Sequence, residues 1–216
     1  MKKYELTTNT KVFDGKTLYQ IRALVSFGTV NAGDLGGYIE KEDNLSQAGT
    51  AWVCGNAWVS DNAQVYGNAW VYGDARVYGD AWVYGDARVS DNAQVCGNAQ
   101  VCGNAQVYGD AWVYGDARAY GNARVYGDAR VYGDADYLTI GPIGSRGDTT
   151  TFYRRRDGGT MVVCGCYHDT IDAFEVRVKE VHHGTSHEAA YLAAVACARA
   201  RVRTDPEDTN EDTDCV

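Results

Sequence analysis

A strict period of six residues constrains the fold of this chain more than any other feature. From Ala51 to Asp134 the sequence consists of fourteen consecutive hexads, such as AWVYGD and AQVCGN. The first position is always alanine, the third is valine in all hexads but one, and the sixth is always asparagine or aspartate. This period excludes a heptad coiled coil, and a chain with only 2 prolines is not collagen.

Each hexad has the pattern of a short strand followed by a turn. Alanine and valine lie two positions apart and therefore face the same side of a strand, while the residue between them faces the opposite side. The following Gly-Asn or Gly-Asp pair provides a turn, because these residues tolerate positive φ angles. Three strands per coil predict a triangular prism of about 4.7 coils with a small-residue interior.

An offset of 18 residues aligns the outward side chains of successive coils into columns. One column begins Trp52, Trp70, Arg88, and others hold tyrosines, so that stacked rings and arginines over tryptophans are expected. A structural coat on the prism is one interpretation of these columns. A self-association face and a stacking surface for sugar rings or nucleobases are the alternatives.

The net charge of −9 is concentrated in a short acidic tail. Residues 205–216 contain six acidic side chains and no basic one, which predicts a disordered tail. The mildly acidic repeats argue against binding of duplex nucleic acid. No apolar run is long enough to cross a membrane, and the first residues lack an apolar signal segment. Together with seven cysteines, expected to be reduced thiols, this predicts a cytoplasmic protein without a membrane association.

The repeats resemble the left-handed parallel β-helices of the hexapeptide-repeat superfamily, which includes acyltransferases and γ-class carbonic anhydrases. That resemblance implies catalytic histidines on the β-helix or on loops inserted into it. The fourteen hexads contain neither a histidine nor an insertion. All histidines of the chain follow the repeats: His168, His182, His183 and His187. The sequence therefore favours a protein without catalysis and without a cofactor.

Residues 1–50 are predicted to form an N-terminal β cap on the prism at residues 51–135. Their first part is expected to be a hairpin with Asp14-Gly15 at its turn. The segment Gly36–Glu40 and the following Asn44–Ser46 resemble YdcK-like hexapeptide-repeat proteins of bacteria, phages and prophages. This resemblance implies membership of a family but no particular reaction.

Residues 136–204 are predicted to form a C-terminal α+β cap. A β-hairpin is expected around Asp157–Gly159. A first helix is expected from Asp169 to His183, and Ser186 is expected to cap a second helix that ends near Arg203. The end of the chain also resembles that of phage-borne hexapeptide-repeat proteins.

A glycine-rich loop and a run of arginines in this cap form the strongest candidate site. Backbone N–H groups of such a loop bind anions, and arginines bind them through paired hydrogen bonds. The loop does not have the spacing of a phosphate-binding loop, so a plain connector and a solvated strand edge are the alternatives. The candidate anion-binding residues are Gly144, Ser145, Arg146, Arg154 and Arg156.

Cys164, Cys166 and His168 are predicted to alternate on one strand face, which makes them weak candidates for a zinc site. The absence of a paired CxxC motif argues against a metal, and buried thiols with helix-end histidines explain these residues equally well. No metal site is therefore predicted.

The sequence predicts a non-catalytic binding protein encoded by a phage or mobile element. Its target is expected to be a small anionic, nucleotide-like ligand or a host protein. An acyltransferase-like enzyme with His168 or His183 as base is one alternative. An oligomeric scaffold that associates through the Trp and Tyr columns is another, and a homo-oligomer, with a trimer favoured, is expected.

Overall fold

The computed structural model describes residues 1–133, 136–155 and 158–205, so the predicted acidic tail lies almost wholly outside the described residues. The chain begins with an antiparallel hairpin of β1 (Tyr4–Phe13) and β2 (Lys16–Ala23). Asp14 and Gly15 form its turn with φ angles of 48° and 73°, as predicted. Strand β3 (Leu35–Ile39) pairs with β2 and is followed by a short 3₁₀ helix, Glu42–Asn44.

Every hexad then contributes one two-residue strand from its second and third positions. These fourteen strands are Trp52–Val53 (β4), Trp58–Val59 (β5), Gln64–Val65 (β6), Trp70–Val71 (β7), Arg76–Val77 (β8), Trp82–Val83 (β9), Arg88–Val89 (β10), Gln94–Val95 (β11), Gln100–Val101 (β12), Gln106–Val107 (β13), Trp112–Val113 (β14), Arg118–Ala119 (β15), Arg124–Val125 (β16) and Arg130–Val131 (β17). Strands three apart in this series pair in parallel, which builds the three faces of a β-solenoid.

The solenoid starts before the first regular hexad. Strand β3 pairs in parallel with β5, and Leu45 forms a parallel bridge with Val65, so both belong to the stack of coils. Eight residues separate Leu45 from Val53, its counterpart on the next face, instead of six. Because of these two additional residues, the period of six cannot be recognised in the sequence before Ala51.

The interior of the solenoid is formed by the alanines and valines at the first and third hexad positions, all of which are fully buried. At the turns, asparagine side chains donate to the residue one coil on, as from Asn92 to Asp110 at 3.0 Å. Arg130 lies over the Trp112 ring at 4.6 Å, as the column pattern predicts. The mainly β, parallel β-helix is confirmed.

Four strands and two helices follow the solenoid. The strands β18 (Tyr137–Ile143), β19 (Asp148–Arg154), β20 (Thr160–Cys164) and β21 (Tyr167–Thr170) form one antiparallel sheet. The helices are α1 (Ile171–Val181) and α2 (Ser186–Arg201).

The helices pack on the outer side of this sheet and share a second apolar core with it, centred on Phe152, Phe174 and Tyr191. The N-cap of α2 is Thr185, whose side chain accepts from the Glu188 N–H, and not Ser186 as predicted. Thr185 and Ser186 are adjacent and both carry a hydroxyl group, so the sequence alone does not indicate which of them is the N-cap. Among the described residues, no helix combines the length and apolarity needed to cross a bilayer.

Candidate ligand-binding site

A cavity of about 340 Å³ lies between the sheet and the helices of the C-terminal cap. The β18–β19 turn, the β20–β21 turn, helix α1 and one side of α2 surround it. Its lining residues are Ser145, Arg146, Cys164, Tyr167, Phe174, Arg177, Val178, Val181, His182 and Tyr191. Apolar and aromatic side chains therefore form its walls, its cationic groups are the two arginines, and a histidine lies beside them.

Arg146 reaches the cavity from the tight turn between β18 and β19. Its guanidinium donates to the Cys164 carbonyl at 3.4 Å, and its contact with Cys166 raises the pKa of the guanidinium further above its usual value. Gly165 in the β20–β21 turn leaves room for this guanidinium, since a Cβ there would lie 2.2 Å from an Arg146 nitrogen and would displace it. The φ of +63° at Gly165 also favours glycine.

Tyr191 of α2 brings a hydroxyl group to the cavity beside Cys164. The Cys164 sulfur lies 3.6 Å from the Tyr191 oxygen and accepts from the Thr150 hydroxyl at 3.3 Å. Burial, followed by the contact with Cys164, raises the pKa of Tyr191 to about 12. The hydroxyl group is therefore protonated at neutral pH and can donate a hydrogen bond. A Cβ at Gly144, in the β18–β19 turn, would lie 1.8 Å from this oxygen, so a larger residue there would clash with Tyr191.

Helix α1 and its C-terminal end contribute an arginine and a histidine to the cavity. Arg177 follows Phe174 by three positions and thus lies on the same side of the helix, and His182 is the C-cap residue. Arg177 pairs only loosely with Glu180, at 3.4 Å with both side chains about 60% exposed. Its guanidinium therefore stays accessible to a ligand. The sequence-based interpretation missed both residues as parts of a binding site, because the helical spacing of Phe174 and Val178 indicates an apolar stripe and not the polar residues beside it.

The predicted five-residue anion site is not assembled as such. Ser145 and Arg146 line the cavity, and Gly144 shapes it. Arg154 lies at the opposite end of β19, where it is 1% exposed and its Nε lies 3.5 Å from the Asp136 carboxylate. Arg156 lies outside the described residues.

Arg154 is a structural residue because Asp136 is fully buried beside it. Asp136 also accepts from the backbone N–H groups of Tyr132 and Gly133 and from Nε and Nη2 of the Arg203 side chain. This carboxylate connects the last coil, the cap sheet and the end of the second helix. Arg154 is thus engaged with Asp136 and does not line the cavity.

The weak zinc candidates do not share one strand face. Cys164 ends β20, Cys166 lies in the following turn, and His168 belongs to β21, where it pairs with Val163. A hairpin turn replaces the continuous strand that the alternation assumed. No cluster of three or more metal-binding side chains occurs in the described part of the chain. Cys54, Cys102, Cys164, Cys166 and Cys197 are free thiols, in agreement with the expectation of reduced cysteines at these positions.

His168 joins the cap to the solenoid. Its ring lies 4.1 Å from the Tyr126 ring of the last coils, and its Nε2 lies 2.7 Å from the Tyr153 hydroxyl. Burial raises the pKa of Tyr153, so its hydroxyl group is the donor and the neutral imidazole is the acceptor. In this position His168 supports the packing of the two parts.

We expect the stability of the cap to fall as the pH drops below about 6.5, the usual pKa of histidine. Burial lowers the pKa of His168, against the opposite influence of Asp128 and Asp169 and with a smaller contribution from Arg155. The folded chain therefore binds fewer protons than the unfolded chain between the two pKa values, and stability is lost in that window.

Thermal unfolding between pH 7.5 and 5.5 tests this expectation. His168→Gln keeps an acceptor for Tyr153 and should flatten the pH dependence of Tm relative to the wild type. The exposed His183→Gln serves as the matched control. Equal slopes for the wild type and His168→Gln would contradict the assignment.

The repeats match the family model described as the YdcK β-solenoid repeat. Six overlapping matches, each about one coil long, cover residues 63–97 and 99–133, which hold β6 to β17. The repeats of this chain are therefore YdcK-like β-solenoid repeats. A search of the curated proteins finds no match. The matched coils do not include the cavity, so what the cavity can bind is argued from its lining residues and not from the family match.

Proposed function

We propose that this YdcK-like protein is a non-catalytic binding protein whose C-terminal cavity holds a small anionic, nucleotide-like ligand. The observation that carries the proposal is the convergence of Arg146, Arg177 and His182 on one apolar and aromatic cavity. Guanidinium groups bind phosphate through paired hydrogen bonds, and their strength increases where water is displaced. A ligand with an anionic end and a flat apolar body satisfies both parts of the lining.

The walls favour an aromatic body for this ligand. The half-buried Tyr167 ring lines the cavity and packs on the buried Phe174, which in turn packs on Tyr191. A volume of about 340 Å³ is at the lower end of the range for small-molecule sites. No carboxylate lines the cavity among the described residues, so the usual acid–base pair with a histidine is absent from this described lining. This supports binding rather than catalysis.

The proposed origin, cellular location and oligomeric state are inferred from the sequence. The resemblance of both ends of the chain to phage-borne proteins supports an origin in a phage or mobile element, with action in the cytoplasm. A host protein is the alternative target. The aromatic columns support association of several copies, with a trimer favoured.

We expect adenosine 5′-monophosphate to bind at least about tenfold more tightly than adenosine, because charge-assisted hydrogen bonds to the phosphate are absent from the nucleoside. Arg146→Ala and Arg177→Ala should each weaken binding of the monophosphate about tenfold and leave adenosine binding nearly unchanged. Isothermal titration calorimetry at fixed low salt measures both.

Arg118→Ala is the matched control, because Arg118 is an exposed arginine of the solenoid that does not line the cavity. It should bind the monophosphate like the wild type. Equal affinity for nucleotide and nucleoside, or an equal loss in Arg118→Ala, would contradict the proposal.

A further inference from the structure

Trp70 and Tyr72 lack the partners that other rings of the aromatic columns have. The remaining tryptophans pack against neighbouring rings: Trp52 on Tyr4 and Phe27, Trp58 on Phe13 and Tyr78, Trp82 on Tyr66, and Trp112 on Tyr114. Within the described ranges, Trp70 has neither a ring partner nor a cation partner, and the same holds for Tyr72, which is 37% exposed. One hexad thus presents two unoccupied aromatic surfaces side by side.

These two rings line a groove on the first face of the solenoid. Together with Arg88 they border a hollow of about 460 Å³. Tyr72 and Arg88 also border a second hollow of about 270 Å³, which reaches Tyr108. The two hollows are therefore neighbours on this face, with Tyr72 and Arg88 between them, and we treat them together as one groove. It runs from the coil of Cys54 to that of Tyr108, roughly 14 Å at the strand spacing of a β-sheet.

The N-terminal cap closes one end of this groove. The Phe27 ring lies 5.3 Å from the Trp52 ring and leaves Trp52 only 2% exposed. The loop then turns at Gly28, with a φ of +52°, and Gly28 and Thr29 form the end wall. The cap covers the first ring of the column and leaves the second ring, Trp70, accessible.

The polar side chains of the groove are suited to hydrogen bonds with the hydroxyl groups of a neutral ligand. Arg88 and Asp91 are its charged residues and offset each other. Thr29, Ser90 and Gln106 add donors and acceptors along its length. A single-stranded nucleic acid would require several cations for its phosphates, and this lining offers one. An elongated neutral ligand fits this balance better.

We propose that this groove binds a neutral oligosaccharide. The C–H face of a sugar ring packs on the face of an aromatic ring, and its hydroxyl groups exchange hydrogen bonds with side chains such as Arg88, Gln106 and Ser90. Trp70 and Tyr72 provide the stacking surface, and the length of the groove selects a chain of several sugars. This site is separate from the cavity of the C-terminal cap, so failure of either proposal leaves the other intact.

The test uses cellohexaose, maltohexaose and chitohexaose, with their dimers, on the full chain. Binding is followed by titration calorimetry and by tryptophan fluorescence. At least one hexamer should bind, about tenfold or more tightly than its dimer, because the longer chain reaches more of the groove. Trp70→Gln and Tyr72→Ser should each weaken that binding about tenfold.

These substitutions keep the solenoid intact, because the same columns already hold Gln106 and Ser90 at later coils. Circular dichroism and Tm verify the fold of each variant. Trp82→Gln, on another face whose column contains Gln100, is the matched control and should bind like the wild type. The proposal is overturned by no binding of any hexamer at millimolar concentration, by an equal loss in Trp82→Gln, or by binding of oligothymidylate at this groove instead.

Discussion

Val95→Asp is expected to destabilise the solenoid by at least about 3 kcal/mol. Val95 is fully buried and lies between Val77 and Val113 of the adjacent coils. Its surroundings are alanine and valine side chains, which offer no partner to a carboxyl group. Because neighbouring coils support each other, the damage should spread through the stack.

Urea unfolding followed by circular dichroism measures this effect. The matched control is Gln100→Asp, which places the same carboxylate at an outward position beside Arg118 of the next coil. It should change the free energy of unfolding by no more than about 0.5 kcal/mol. Similar losses in both variants would contradict the assignment of inward and outward positions.

Asp136→Asn should destabilise the attachment of the C-terminal cap by about 3 kcal/mol. The carboxylate is fully buried, and it faces Arg154, whose side chain is 2% exposed. The amide loses the charge attraction to Arg154 and Arg203 and cannot accept as many of their hydrogen bonds. Removing one partner of a buried ion pair is costly because the remaining charge stays desolvated.

Asp172→Asn provides the control for this change. Asp172 also pairs with an arginine, Arg199, at 2.7 Å, but its side chain is 83% exposed. Its loss should therefore cost about 0.5 kcal/mol or less. Thermal unfolding measures both variants, and Asp136→Asn combined with Arg154→Met should recover part of the stability. Equal Tm values for Asp136→Asn and the wild type would contradict this role.

The solenoid was predictable because its interactions are local and periodic. The first and third positions of each hexad are predicted to face inward, and their side chains are buried in every repeat. The initial coil was not predictable in the same way. Gly37 takes the place of an alanine there, since a Cβ would lie 2.5 Å from the Ala57 carbonyl oxygen, and extra residues after Leu45 break the period.

The cavity was predictable only in part, because its residues come from distant segments. Ser145 and Arg146 were found from their loop. The position of Arg154 beside Asp136 could not be predicted, since strand alternation does not indicate which face of the strand a distant residue such as Asp136 covers. Arg177 and His182 were missed because helical spacing identifies an apolar stripe but not which polar neighbours border a cavity.

Native mass spectrometry of the full chain with adenosine 5′-monophosphate tests the central claim most directly, because it counts bound ligands and subunits together. We predict one nucleotide per chain on the wild type and on Arg118→Ala, and no retained nucleotide on the Arg146→Ala/Arg177→Ala double variant. A bare wild-type chain, or equal occupancy of the wild type and the double variant, would contradict an anion-binding cavity in the C-terminal cap.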